Sequence, residues 1–232
     1  MPRASSTGKC SFCNKEFSKA GMARHLESCQ QNPANAAAEG HQKVRKTKVF
    51  HLQVEGRYQP MYWMHLQVTT GTTLEQLDRF LRDTWLECCG HLSAFRIGSV
   101  SYSSDAEMDS HSYWDMGDKS MRVRLDKVLT PKQELTHEYD FGTTTELRLK
   151  VVSEQEIEAK GKAIKIIARN DPPVILCNVC GKPATEVCTQ CIYDDGGWLC
   201  DACVKGHECG EGMLLPVVNS PRVGMCGYTG RG

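Results

Sequence analysis

The chain has 232 residues, 40% of them hydrophobic and 24% charged, with 28 basic and 28 acidic side chains and a formal charge of zero. That balance excludes wholesale disorder, and no apolar run approaches the roughly 20 residues a bilayer span needs. The opening MPRASSTGKCSFC has no apolar stretch of the secretory kind, so an intracellular, cytoplasmic protein is expected. Charge is unevenly spread: residues 1–50 carry nine Lys and Arg against three Glu, so this segment is basic and the remainder acidic. Thirteen cysteines are present, eleven of them near the two ends. In a reducing compartment, Cys-x-x-Cys spacing points to metal and not to disulfides.

The first predicted element is a small module over residues 1–30. Cys10-x2-Cys13-x11-His25-x3-Cys29 supplies four N/S ligands of the kind tetrahedral zinc takes. Ser18 is placed to cap a helix through SKAGMARHLESC, which puts His25 and Cys29 on one face, with Met22 and Phe17 beside them. So short a unit has almost no core, and zinc would supply its folding free energy. The spacing resembles the single zinc fingers of the Cys-Cys-His-Cys type. Residues 31–47, rich in Ala, Asn and Gln and ending in a basic cluster, read as a flexible linker. Lys9, Lys15, Lys19, Arg24, Lys43, Arg45, Lys46 and Lys48 are the candidate contacts to nucleic-acid phosphates.

Residues 48–171 read as an α+β domain, a mainly antiparallel sheet with a packed helix. VFHLQV and YWMHLQV alternate apolar and polar positions and are separated by EGRYQP, a turn sequence. TTLEQLDRFLRDTWLECC then takes helical spacing, with Leu74, Leu77, Leu81, Trp85 and Cys88 on one stripe and Thr72 with Glu75 as its capping box. Cys88 and Cys89 are expected as small apolar residues on that helix. Further strands are predicted at LSAFRIG, LTHEYDF, TELRLKVV and KAIKIIAR. His51, His65, His91 and His137 fall on strand or turn positions, with no nucleophile beside them in sequence. The loop carrying Asp105, Glu107, Asp109, His111 and Asp115 could serve a metal-dependent hydrolase or nuclease, which is the alternative function. Its spacing is equally that of any solvated loop, and no phosphate-binding glycine motif or nucleophile elbow accompanies it.

The run FHLQVEG, then YQPMYWMHLQVTTGTTLEQL, then HEYDFGTTTELRLKVV resembles the Ri-plasmid ORF-3-like family, most closely at Tyr139-Asp140-Phe141-Gly142. The family is described as an insertion-element passenger, TnpR-like. The resemblance implies a fold and an association with mobile elements, and no established chemistry. Where the family carries arginines in its first strands, this chain has Gln59-Pro60-Met61-Tyr62-Trp63-Met64.

The final segment, 172–232, holds Cys177, Cys180, Cys188, Cys191, Cys200, Cys203, His207, Cys209 and Cys226. Six paired cysteines overfill one tetrahedral site and underfill two. His207 and one further cysteine close the second. The spacing resembles the cross-brace modules of the B-box and MYND kind, which implies Cys177, Cys180, Cys200 and Cys203 on one ion and Cys188, Cys191 and His207 on the other. Sequential pairing is the alternative. The eighth ligand is Cys226, flanked by Gly224 and Gly227, or alternatively Cys209, only two residues beyond His207. About three Zn2+ per chain would be bound. Ligand sets of this type leave no place for water or a small-molecule substrate, so the expected function is a non-catalytic zinc-binding interaction protein whose partner is a protein or nucleic acid, with no membrane role.

Overall fold

The computed structural model describes residues 6–29, 46–105, 117–158, 161–194 and 196–230. Its centre is a ten-stranded sheet in the order β2-β1-β10-β4-β3-β9-β8-β5-β6-β7. In chain order the strands are β1 (Thr7–Cys10), β2 (Glu16–Ser18), β3 (Lys46–Gly56), β4 (Trp63–Thr69), β5 (Ser93–Ile97), β6 (Val100–Ser103), β7 (Lys119–Ser120), β8 (Glu134–Tyr139), β9 (Thr145–Glu158) and β10 (Ile164–Asn170). All pairings are antiparallel except β6 with β7. Helices are few, α1 (Lys19–Cys29) and α2 (Leu74–Leu81) being the longest.

The period-two pattern decides which face of the sheet is which. Phe50, Leu52 and Val54 of β3, Met64, Leu66 and Val68 of β4, and Leu147, Leu149 and Val151 of β9 share one face, where they pack with Leu74, Leu77 and Leu81 of α2. His51 and His65 alternate to the other face and are also buried. The helix start lies one residue later than the capping pattern Thr72–Glu75: Thr73 is the N-cap and Gln76 completes the box, with Gln76 N–H donating to Thr73 Oγ1 at 3.2 Å. Thr72 is engaged instead with Thr69, hydroxyl to hydroxyl at 2.8 Å. The helix also ends earlier than its apolar stripe suggests. A π turn over Arg82–Leu86 shifts the phase and buries Trp85 and Leu86 together. Glu87 is then extended, so Cys88 and Cys89 lie beyond the helix, half-buried and exposed respectively.

The N-terminal module is joined to the sheet. β1 pairs with β10, Lys9 opposite Arg169, and β2 lies outside it at the sheet edge. Gly8 makes this approach possible, because a Cβ there would sit 2.2 Å from the Arg169 carbonyl oxygen and 2.8 Å from Trp63 Cη2. Met22, Leu26, Cys10 and Cys29 share a second apolar cluster with Trp63, Ile167 and Ala168. The small module thus borrows its core from the reverse face of the sheet. β3 starts at Lys46, inside the segment read as linker; residues 30–45 lie outside the described ones.

The C-terminal module is a three-stranded sheet, β12 (Trp198–Leu199), β11 (Glu186–Cys188) and β13 (Leu214–Pro216), with a helical turn at Asp201–Val204. Its Val187 belongs to the main core, as does Val223 of the tail beyond β13. That tail crosses the central domain. Ser220 Oγ donates to the Trp85 carbonyl at 2.6 Å, and Asn219 exchanges hydrogen bonds with Asn170. Arg222, fully buried, pairs with Asp140 at 2.7 Å and donates to Thr143 O and Thr145 Oγ1. No helix among the described residues is long and apolar enough to cross a membrane.

Candidate metal centres

Four groups of Cys and His side chains converge, each with its four ligand atoms within 4.8 Å of one another. The first is Cys10, Cys13, His25 and Cys29. The β1–β2 turn presents Cys10 and Cys13, and α1, whose Ser18 accepts from Gly21 N–H at 3.3 Å, presents His25 and Cys29. Phe17 stacks on the His25 ring at 4.1 Å and fixes its plane. The second is Cys177, Cys180, Cys200 and Cys203, and the third Cys188, Cys191, His207 and Cys209. First and third Cys pairs share one group, and the second pair goes with His207 to the other. The grouping of the side chains is therefore cross-brace and not sequential.

The spacing fits tetrahedral coordination. Bonds of about 2.3 Å to sulfur and 2.0 Å to nitrogen imply S···S edges of about 3.8 Å and S···N edges of about 3.5 Å. Observed edges are 3.9 Å for Cys10–Cys29, 3.5 Å for Cys180–Cys200, 3.6 Å for Cys191–Cys209, and 3.2 Å for Cys13–His25. These are far longer than the roughly 2.05 Å of a disulfide, and all the cysteines are free.

Electrostatics within each group favour a bound cation. Burial opposes ionisation of Cys177, but backbone amides of Cys180, Cys200 and Val179 outweigh it and hold its pKa down to about 6. Cys188 is likewise at about 6, where burial is outweighed by the Cys191 and Gln190 amides and by His207. Their neighbours move the other way: Cys191, beside Cys209 and Cys188, and Cys203, beside Cys180 and Cys200, are pushed up to about 12. Cys29 rises to about 12 through burial and the nearby Cys13 and Cys10. Thiolates this close repel one another, and a divalent ion removes that cost.

Cys226 does not converge with Cys188, Cys191 and His207. Cys209 stands beside them, because the turn after Asp201–Val204 brings both His207 and Cys209 to Cys191, at 3.7 and 3.6 Å. The anchored tail carries Cys226 away, to Cys88, Cys89 and His91, which form the fourth group. Sequence reasoning missed these three residues because the helical stripe absorbed Cys88 and nothing in the spacing links 88–91 to 226. One signal was available: thirteen cysteines cannot be divided among three sites of the expected composition.

The remaining expected residues separate clearly. Lys19 pairs with Glu55 at 2.7 Å, Lys48 with Glu154 at 3.2 Å and Lys46 with Glu156 at 3.8 Å. Lys9, Lys15 and Arg24 are exposed on the N-terminal module, and Lys43 and Arg45 lie outside the described residues. Asp105 lies two residues beyond β6 and accepts from the Ser103 hydroxyl. Glu107, Asp109, His111 and Asp115 lie outside the described residues. Beside that loop's ends is an open cleft of about 690 Å³ lined by Glu75, Asp78, Arg82, Glu87, Ser103 and others. Two of its four carboxylates have partners deep in the fold: Asp78 pairs with His137 at 2.7 Å, and Glu87 with Arg82 at 2.5 Å and the Tyr139 hydroxyl at 3.0 Å.

The family described as "Plasmid pRiA4b ORF-3-like protein" matches residues 47–174, more than half of the 232, and the chain belongs to that family. No curated protein matches. Among solved structures, a protein of unknown function from Methanosarcina mazei Go1 is similar, at 17% identity and a TM-score of 0.43, over 61% of this chain and 78% of that one. The match to the family includes none of the ligand residues of the two terminal modules.

Proposed function

We propose that this member of the plasmid pRiA4b ORF-3-like family is a zinc-stapled interaction protein, in which zinc closes the three terminal ligand groups and a partner protein meets the C-terminal module. The observation that carries the reading is the closure of those groups, each four N/S donors at tetrahedral spacing. Zinc suits mixed thiolate and imidazole donors in this geometry, and it has no redox chemistry to protect against. A closed site has no position for a reacting water, which ranks binding above catalysis. A metal-dependent hydrolase or nuclease would need open ligands, and two of the cleft carboxylates, Asp78 and Glu87, are held by Arg82, His137 and Tyr139.

A protein partner is favoured over nucleic acid because Lys19, Lys46 and Lys48 are already neutralised by the chain's own glutamates. Five of the eight large hydrophobic residues exposed among the described ones belong to the C-terminal module: Val174, Leu176, Val179, Tyr193 and Met213. The family description, which names a plasmid, supports an accessory role on a plasmid or other mobile element, and a place inside the cell is part of the same proposal. The test is a salt titration of binding to duplex and single-stranded DNA, on the full chain with its zinc. No measurable binding at about 50 mM salt is expected; a tight complex that weakens steeply with salt would make this a nucleic-acid protein instead. Protein isolated without chelators that carries no zinc would end the reading altogether.

A further inference from the structure

All the cysteines of this chain are accounted for by four ligand groups, and three of those groups lie in the terminal modules. The thirteen cysteines and three histidines make four complete sets of four, with no cysteine left over. We propose that Cys88, Cys89, His91 and Cys226 form a fourth, solvent-accessible zinc site that clamps the C-terminal tail to the central domain. The inference uses the same coordination chemistry as the reading above but stands on different residues.

The edges of this group match a tetrahedral Cys3His site. Cys88 Sγ lies 3.6 Å from Cys89 Sγ, and Cys89 Sγ is 3.8 Å from Cys226 Sγ. His91 Nε2 is 3.0 Å from Cys89 Sγ and 3.2 Å from Cys226 Sγ. Adjacent cysteines can both reach one ion because Gly90, at φ +81°, turns the chain so that His91 folds back onto them. Gly90 N–H donates to Glu87 Oε1 at 2.6 Å, which pins that turn to the end of the π turn. The opposing ligand, Cys226, has φ +44°. A left-handed conformation at a non-glycine residue costs free energy that a ligand bond can offset.

The surroundings are built like an outer coordination shell. Buried Arg222 donates from Nη2 to Cys88 Sγ at 3.4 Å and to Asp140 at 2.7 Å. The His91 ring packs edge-on against Tyr139, with centroids 5.7 Å apart, and its backbone N–H donates to the Tyr139 hydroxyl at 3.3 Å. Such groups orient ligands and neutralise part of the charge of three thiolates on one dication. The site differs from the other three in where its ligands come from. Cys88, Cys89 and His91 belong to the central domain and Cys226 to the tail, more than 130 residues away in sequence. The other three groups each lie within one module. Cys89 and Cys226 are also exposed. The metal is therefore a clamp between parts of the fold, and the one solvent and chelators reach most directly.

Zinc per chain is to be measured by elemental analysis on the full chain purified without chelators, alongside Cys226→Ser and His91→Gln. Four zinc for the natural chain and three for each variant are expected. On titration with a chromophoric chelator, one zinc should leave the natural chain ahead of the rest, and that early phase should be missing from both variants. In the variants, hydrogen exchange should accelerate over the tail, residues 217–228, with residues 177–209 unchanged. Three zinc in all three proteins would overturn the fourth site and leave the terminal modules intact. Four in both variants would overturn this ligand set. A natural chain with no zinc would overturn both readings together. If Cys226→Ser does not fold, His91→Gln carries the test, since its side chain lies at the surface of the site.

Discussion

Acidification should destabilise this fold through two histidines that have nothing to do with metal. His51 Nε2 and His65 Nδ1 meet at 2.8 Å between β3 and β4, and both side chains are buried. Their other ring nitrogens, His51 Nδ1 and His65 Nε2, have no hydrogen-bond partner among the described residues. Burial pushes the pKa of His51 down to about 4, and burial together with the neighbouring His51 pushes His65 down to about 3. In the unfolded chain both titrate near 6.5. Above that pH both states are neutral and the pair adds no pH dependence. Below it the unfolded chain takes up two protons that the folded chain refuses, so stability falls with pH until the folded values are reached. Two protons correspond to a slope approaching about 2.7 kcal/mol per pH unit, and a cumulative loss of about 5 kcal/mol between pH 7 and 4.5. That equals the whole stability of a marginal domain.

The assay is urea unfolding followed by tryptophan fluorescence from pH 7 to 4.5, on the natural chain and on His51→Gln/His65→Gln. Loss of metal from the thiolates at low pH affects both proteins, so the difference between the curves isolates the histidine pair. The natural chain should lose stability more steeply by about 2.7 kcal/mol per unit near pH 5. Parallel curves would mean that water reaches the imidazoles and that the sheet face beneath the N-terminal module is not sealed.

Two further perturbations test how the parts are joined. Gly8→Ala should expel β1 from its place beside β10, since the added methyl meets the Arg169 carbonyl at 2.2 Å. Hydrogen exchange at Lys9 and Cys10 should accelerate while zinc content stays the same. Arg222→Met should cost about 3–5 kcal/mol in urea unfolding by leaving Asp140 buried without its partner, and Asp140→Asn in the same chain should restore much of the loss.

The sequence was legible where side chains repeat with a backbone period or a ligand spacing. Alternation in VFHLQV and YWMHLQV located β3 and β4 and the face each turns to the core, because only one strand register buries all the apolar positions. Four ligands inside twenty residues of the N-terminal module, and three evenly spaced Cys pairs near the other end, located three of the four ligand groups. What stayed hidden is what depends on contacts distant in sequence. The π turn at Arg82–Leu86 leaves no mark in an apolar stripe, so Cys88 looked like one more core position. The pairing of β1 with β10 rests on a missing side chain at Gly8, which as a sequence feature is indistinguishable from a turn glycine. Cys226 looked well placed because of its flanking glycines, but that argument had no information about where Ser220 and Arg222 would hold the tail.

The same few contacts explain why the terminal modules can be both nearly coreless and well ordered. Met22 and Leu26 of the N-terminal module are fully buried, yet only because Trp63 and Ile167 of the sheet cover them. Val187 of the C-terminal module enters the central core in the same way. Metal ligation can hold the ligand loops, but it cannot choose the direction in which a module faces, since a tetrahedral ion constrains only its own four donors. Orientation has to come from contacts such as Gly8 against Arg169, Arg222 against Asp140, and the tail cysteine against the 88–91 turn. Removing the terminal metals should therefore melt modules in place, whereas removing the tail contacts should release a folded module from the sheet. On the proposed reading, in which the chain presents surfaces to a partner, the second kind of loss is the more damaging. A partner that reads two modules at once depends on their fixed geometry more than on the stability of either.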